Sequence, residues 1–101
     1  MVRHDVVRCA NPDPGKQPVN IPRWKFEVVR AAILEVLTDR PEGVEFKRLP
    51  ALVGDALADD DLQRLGSVPW HTTVVKLHLE AVSEIERIAG RRPQVIRFVQ
   101  R

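Results

Sequence analysis

The sequence predicts an α+β domain, and three observations carry that expectation. Amphipathic helical patterning recurs in three segments, two β-branched runs close the chain, and proline, glycine and cap residues punctuate the joins. At 101 residues the chain is sized for one hydrophobic core. Apolar residues make up 44% and charged residues 30%, an ordinary globular mix, and a formal net charge of +2 is too small to demand a polyanionic partner.

Residues 1–19 read as an extended N-terminal arm, because Asn11-Pro12-Asp13-Pro14-Gly15 forms a turn that continues neither a helix nor a central strand. Within it, Asp5 to Cys9 can pair as an edge strand, with β-branched Val6 and Val7. Residues 20–101 then form the domain. Asn20 reads as the cap of a first helix with Pro22 in its first turn, running to about Thr38. Phe26, Val29, Ile33, Val36 and Leu37 recur at three- and four-residue steps and make its inner stripe.

Pro41 and Gly43 end that helix, and Val44-Glu45-Phe46 offers a short strand. A second helix is expected from about Lys47 to Leu57, with Leu49, Leu52, Val53 and Leu57 inward. Ala58 to Gly66 reads as an acidic connection with room for a turn of helix around Leu62 and Leu65. Ser67 caps a third helix whose first turn holds Pro69. At about 100° per residue Trp70, Val74, Leu77 and Ala81 share one arc, while Val75, Leu79 and Val82 cluster on another. The reading buries both arcs and leaves Thr72, Thr73, Lys76, Glu80 and Ser83 as the exposed strip. Trp24 and Trp70 are both expected in the core. Ile85–Ile88 and Gln94–Val99, joined by Ala89-Gly90-Arg91-Arg92-Pro93, read as a terminal hairpin.

This order resembles the winged helix-turn-helix superfamily over residues 20–99, with three helices plus a C-terminal β-hairpin wing. The run from Leu79 to Ile88 into Gly90-Arg91-Arg92-Pro93 looks like the end of a recognition helix entering the wing. The chain also resembles a family of small, uncharacterised bacterial proteins, in which an Asn-Pro-Asp-Pro-Gly-Lys arm precedes the first helix. The superfamily resemblance implies double-stranded DNA as partner, with the third helix in the major groove and the wing on the backbone. On this chain the implied contacts are His71, Thr72, Thr73 and Lys76 on the helix, with Arg91 and Arg92 at the wing tip, and the implied role is that of a small transcriptional regulator. From Glu84 onward five arginines face two acids, which supports that reading. Glu80 on the strip and Asp59-Asp60-Asp61 ahead of the helix oppose it. A protein-protein or homodimerisation module, using the apolar face of the third helix or the valine-containing arm, is the alternative.

No phosphate loop, nucleophile elbow or acid pair with a histidine in reach is present in the sequence, so no enzyme and no cofactor are expected. His71 and His78 stand roughly 10 Å apart along one helix, too far to share a zinc ion, and His4 with Cys9 lies on the arm. Cys9 is the single cysteine, so a disulfide framework is excluded and a reduced cytoplasmic setting is expected, with neither signal peptide nor membrane span. Beside Arg8 its thiol has a route to a lowered pKa.

Overall fold

The chain begins as a hairpin. The computed structural model describes residues 5–99, which places His4 and Arg101 outside the described residues. Strand β1 (Val6–Cys9) pairs antiparallel with β2 (Val19–Pro22), Val7 opposite Ile21 and Cys9 opposite Val19. Asp13 shapes the connection, its carboxylate accepting from the Gly15 amide at 2.9 Å. The strand at Val6–Cys9 is as expected, but the arm is not extended. Cys9 and Ile21 are buried in the common core, which ties the hairpin to the body of the molecule. Asn20 is therefore a strand residue facing Arg8, and α1 (Arg23–Thr38) starts after Pro22 with no side-chain cap.

Helix α1 buries Val29, Ala32, Ile33, Val36 and Leu37, so the expected stripe gains Ala32, while Phe26 at its start is only half-buried against the core. After it, Gly43 adopts a φ of 98°, and β3 (Val44–Glu45) follows. A 3-10 turn over Phe46–Arg48 leads into α2 (Leu49–Ala56), where Leu49 and Val53 are buried and Pro50 is confined to the first turn. The acidic connection is a helix of its own, α3 (Asp59–Leu65). Its three aspartates occupy the first turn, where unsatisfied amides favour negative charge, and the described residues thus hold four α-helices rather than three.

Helix α4 (Val68–Ala81) is capped as expected, Ser67 Oγ accepting from the Trp70 amide at 3.1 Å. It ends with Ser83 at φ 64°, where the amides of Ser83 and Glu84 return to the carbonyls of Glu80 and Leu79. The terminal hairpin is β4 (Ile85–Arg87) and β5 (Val95–Phe98), and β3 adds to the far side of β5, giving an antiparallel sheet in the order β3-β5-β4. Helices α1, α2 and α4 pack on one another, and α4 also meets β4 and β1. Val29, Ile33, Leu49, Val53, Val75, Leu79, Ile85 and Ile96 meet at the centre. Among the described residues no helix is long and apolar enough to cross a membrane.

Candidate functional site

Helix α4 carries the residues that the sequence singled out, and its orientation decides what they can do. It buries His71, Thr72, Val75, Lys76 and Leu79, so one stripe holds a histidine, a hydroxyl and an ammonium beside two expected core residues. The expectation that Thr72 and Lys76 face water is overturned, since Thr72 is 0% exposed and Lys76 2%. His71 is buried too, its Nδ1 placed 2.7 Å from the Ser67 carbonyl oxygen. Of the four helix residues only Thr73 is partly accessible, and its hydroxyl donates back to the Pro69 carbonyl at 2.9 Å. Arg91 and Arg92, in contrast, stand exposed on the turn between β4 and β5.

Charge pairing explains how a lysine can face inward. Its four-carbon stem is apolar, and its ammonium is ion-paired with Glu80 one helical turn on while lying 4.5 Å from the centre of the Phe46 ring. Glu80 Oε2 also accepts from Arg87 Nε on β4 at 2.7 Å. Burial pushes the Lys76 pKa below the ordinary lysine value, with Glu80 acting in the opposite direction. Thr72 has no such compensation, because its buried Oγ1 lacks a hydrogen-bond partner among the described residues. Thr72→Val keeps the shape and removes the unpaired hydroxyl, so it is expected to raise stability by about 1 kcal/mol, read as a higher melting temperature.

The opposite face of α4 is apolar. Trp70 is 48% exposed, and Val74, Leu77 and Ala81 continue the stripe as half-buried residues. The expectation that Trp70 lies in the core is overturned; its ring stands edge-on to His71, at 4.8 Å between centroids. Trp24 is also only half-buried, with the Arg64 guanidinium 4.6 Å from its ring centre. Sequence periodicity found the arc at Trp70, Val74, Leu77 and Ala81 but assigned it to the interior. A cheap signal lay in its 4-3-4 spacing, which fits a seam for a second helix.

Beside this stripe the N-terminal hairpin is latched to α4. The Ala10 amide donates to His78 Nδ1 at 2.9 Å, and the His78 ring stands edge-on to Phe26 at 5.3 Å. Burial lowers the His78 pKa, with Glu84 opposing the shift and Arg30 adding to it. A histidine whose folded pKa lies below its unfolded 6.5 contributes stability that is whole above that pH and is lost as pH falls through the folded value. Acid also converts Nδ1 from acceptor to donor, so the bond to Ala10 is lost. Between pH 7 and pH 5 the Ala10 amide is expected to lose about 1 kcal/mol of hydrogen-exchange protection, while Leu79 amide protection changes less.

Cys9, next to this latch, is buried, and burial pushes its thiol pKa up rather than down. Arg8 does not activate it. Among the described residues, no group of three or more histidine, cysteine, aspartate or glutamate side chains is placed to hold a metal ion. Comparison with curated proteins and with solved structures finds no match. A family model does match, over residues 6–96, which takes in the N-terminal hairpin, helices α1 to α4 and the sheet as far as the first half of β5, and the chain accordingly belongs to the family of unknown function DUF6958.

Proposed function

We propose that this protein is a winged-helix-type interaction module that acts as a weak homodimer, with α4 of one copy lying antiparallel against α4 of a second. The observation that carries the reading is the outward stripe of Trp70, Val74, Leu77 and Ala81, which holds no charge. An antiparallel two-fold pairing sets the largest of these residues, Trp70, against the smallest, Ala81, at both ends, and Leu77 against Val74 in the middle. Large thus meets small throughout. The winged-helix assignment is supported by the order α1, β3, α2, α4 and terminal hairpin, with the short helix α3 inserted before α4, and by the β3-β5-β4 sheet, in which the early strand flanks the last one.

One face of a 14-residue helix falls short of the roughly 800 Å² per partner of a standard interface, so a dissociation constant on the order of micromolar or weaker is expected. Sedimentation velocity from about 1 to 500 µM tests the reading. The wild-type sedimentation coefficient is expected to rise with concentration, and Leu77→Glu is expected to abolish the rise while the fold is retained. A monomer across the whole range refutes the proposal.

Duplex DNA remains a second reading because Arg91 and Arg92 are exposed at the hairpin tip and have no carboxylate partner among the described residues. With His71, Thr72 and Lys76 buried, such contact falls to the tip and to Thr73, and so few phosphate contacts give weak, salt-sensitive binding. Fluorescence anisotropy with a random duplex at about 50 mM salt reads it, and joint replacement of Arg91 and Arg92 by alanine is expected to remove any signal. Neither reading assigns catalysis to this chain.

A further inference from the structure

We infer that the cleft between the end of α1, strand β3 and the hairpin tip is an oxyanion site that takes a phosphate group. The cleft has a volume of about 280 Å³, and three arginines from three separate segments are among the residues that line it: Arg40 after α1, Arg48 at the start of α2, and Arg91 on the turn. The inference is independent of self-association through α4, which lies elsewhere.

Arginine usage across the molecule sets this cleft apart. Arg23, Arg30, Arg87 and Arg97 are each committed to a carboxylate, and Arg64 lies over Trp24. Among the described residues, Arg8, Arg48, Arg91 and Arg92 have no such commitment, and Arg40 donates only to a backbone carbonyl. Two of these uncommitted groups therefore converge on a single cleft. Arg40 is anchored there, its Nη1 donating to the Val36 carbonyl at 3.0 Å, which fixes one wall. Guanidinium forks match tetrahedral oxyanions because each offers paired N–H donors in one plane. Two carboxylates share the cleft. Glu45 is turned to Lys47 at 3.5 Å, whereas Glu42 has no ion pair among the described residues and acts against an anion. The balance stays positive, so the ligand is a compact anion held by two or three forks rather than a long polyanion.

The phosphate can come from a free phosphate or phosphomonoester, or from the phosphodiester of a nucleic acid, and two arms separate these sources. In the first, inorganic phosphate is titrated into the ¹⁵N-labelled full chain at constant ionic strength, and the amides of Gly43, Val95 and Arg91 are followed. Saturable shifts are expected, with Arg48→Ala and Arg91→Ala each weakening binding roughly tenfold. Arg92→Ala, which removes equal charge just outside the cleft, is expected to change it less than twofold. Glu42→Gln is expected to tighten it two- to threefold, an effect that a purely structural role for these residues does not produce.

In the second arm a fluorescent duplex is titrated against the same variants. If Arg48→Ala and Arg91→Ala weaken the duplex while Arg92→Ala does not, the cleft takes a phosphodiester. If the duplex is indifferent and phosphate alone responds, the source is a free phosphate or phosphomonoester. Absence of saturable phosphate shifts overturns the inference. So does an Arg92→Ala effect equal to that of Arg48→Ala, because net charge rather than the cleft would then be responsible.

Discussion

Glu80→Leu is expected to destabilise the protein by about 3–5 kcal/mol at pH 7, a large share of the roughly 5–15 kcal/mol that holds a domain folded. The substitution leaves the Lys76 ammonium, 2% exposed, without its acid and beside only the face of Phe46. The nearby Arg87 guanidinium already acts to lower the Lys76 pKa, and with Glu80 gone nothing opposes it. Lysine then has one escape, which is to give up its proton. Its folded pKa falls further below the unfolded 10.5, so between those two values the unfolded chain binds more protons than the folded one. Stability of the variant must therefore rise with pH toward 10.5. Urea unfolding at pH 7 and at pH 9.5 reads this slope. The double variant Lys76→Met, Glu80→Leu removes both charges at similar volume and is expected to recover most of the loss. A double variant as unstable as Glu80→Leu alone would show that the cost was one of shape.

The same ion pair explains why the face of α4 was hidden in the sequence. Periodicity located two apolar arcs, one at Trp70, Val74, Leu77 and Ala81 and one at Val75, Leu79 and Val82, of which Val82, past the helix end, is exposed, and by residue type the first is the richer. Residue type cannot register that Lys76 and Glu80 cancel each other at one helical turn, nor that Phe46, thirty residues upstream in the chain, supplies a ring for the ammonium. The arc containing Lys76 thus became the inner one. The proposed contacts His71, Thr72 and Lys76 went with it, leaving Arg91 and Arg92 as the exposed pair.

Local signals were read more faithfully than distant ones. Ser67 before Val68-Pro69 is a cap whose partner lies three residues away, and α1 shows its stripe within its own span. Asn20 failed as a cap because Val19 and Ile21 pair with Cys9 and Val7, a partnership set by a hairpin that closes across the Pro-Asp-Pro-Gly turn. The aspartates of α3 are a local signal as well, for acids at 59–61 suit a helix start better than a loop. Arg91 stands out in the sequence as a turn arginine, but its convergence with Arg40 and Arg48 on one cleft is not legible there. Arg40, Arg48 and Arg91 are brought together only when β3 docks on β5.

That docking depends on Gly43, and Gly43→Ala is expected to cost about 2–4 kcal/mol through two separate effects. A φ of 98° is strained for any residue with a Cβ, and the added methyl would lie 2.7 Å from Val95 Cγ1 and 2.9 Å from the Ile96 carbonyl oxygen. Val95 can adjust its side chain. The Ile96 oxygen cannot, because Ile96 sits in the central strand between Val44 on one side and Arg87 on the other, so relief requires β3 to move. Gly66→Ala supplies the control. Gly66 has a φ of 90° but open space around its Cβ position, so its replacement should carry the conformational strain alone, about 1–2 kcal/mol. Urea unfolding of the two variants gives the difference between them, which measures the crowding against β5. If Gly43→Ala costs no more than Gly66→Ala, β3 is held too loosely to fix the wall of the arginine cleft, and the position of Arg40 must then be set by its bond to Val36 alone.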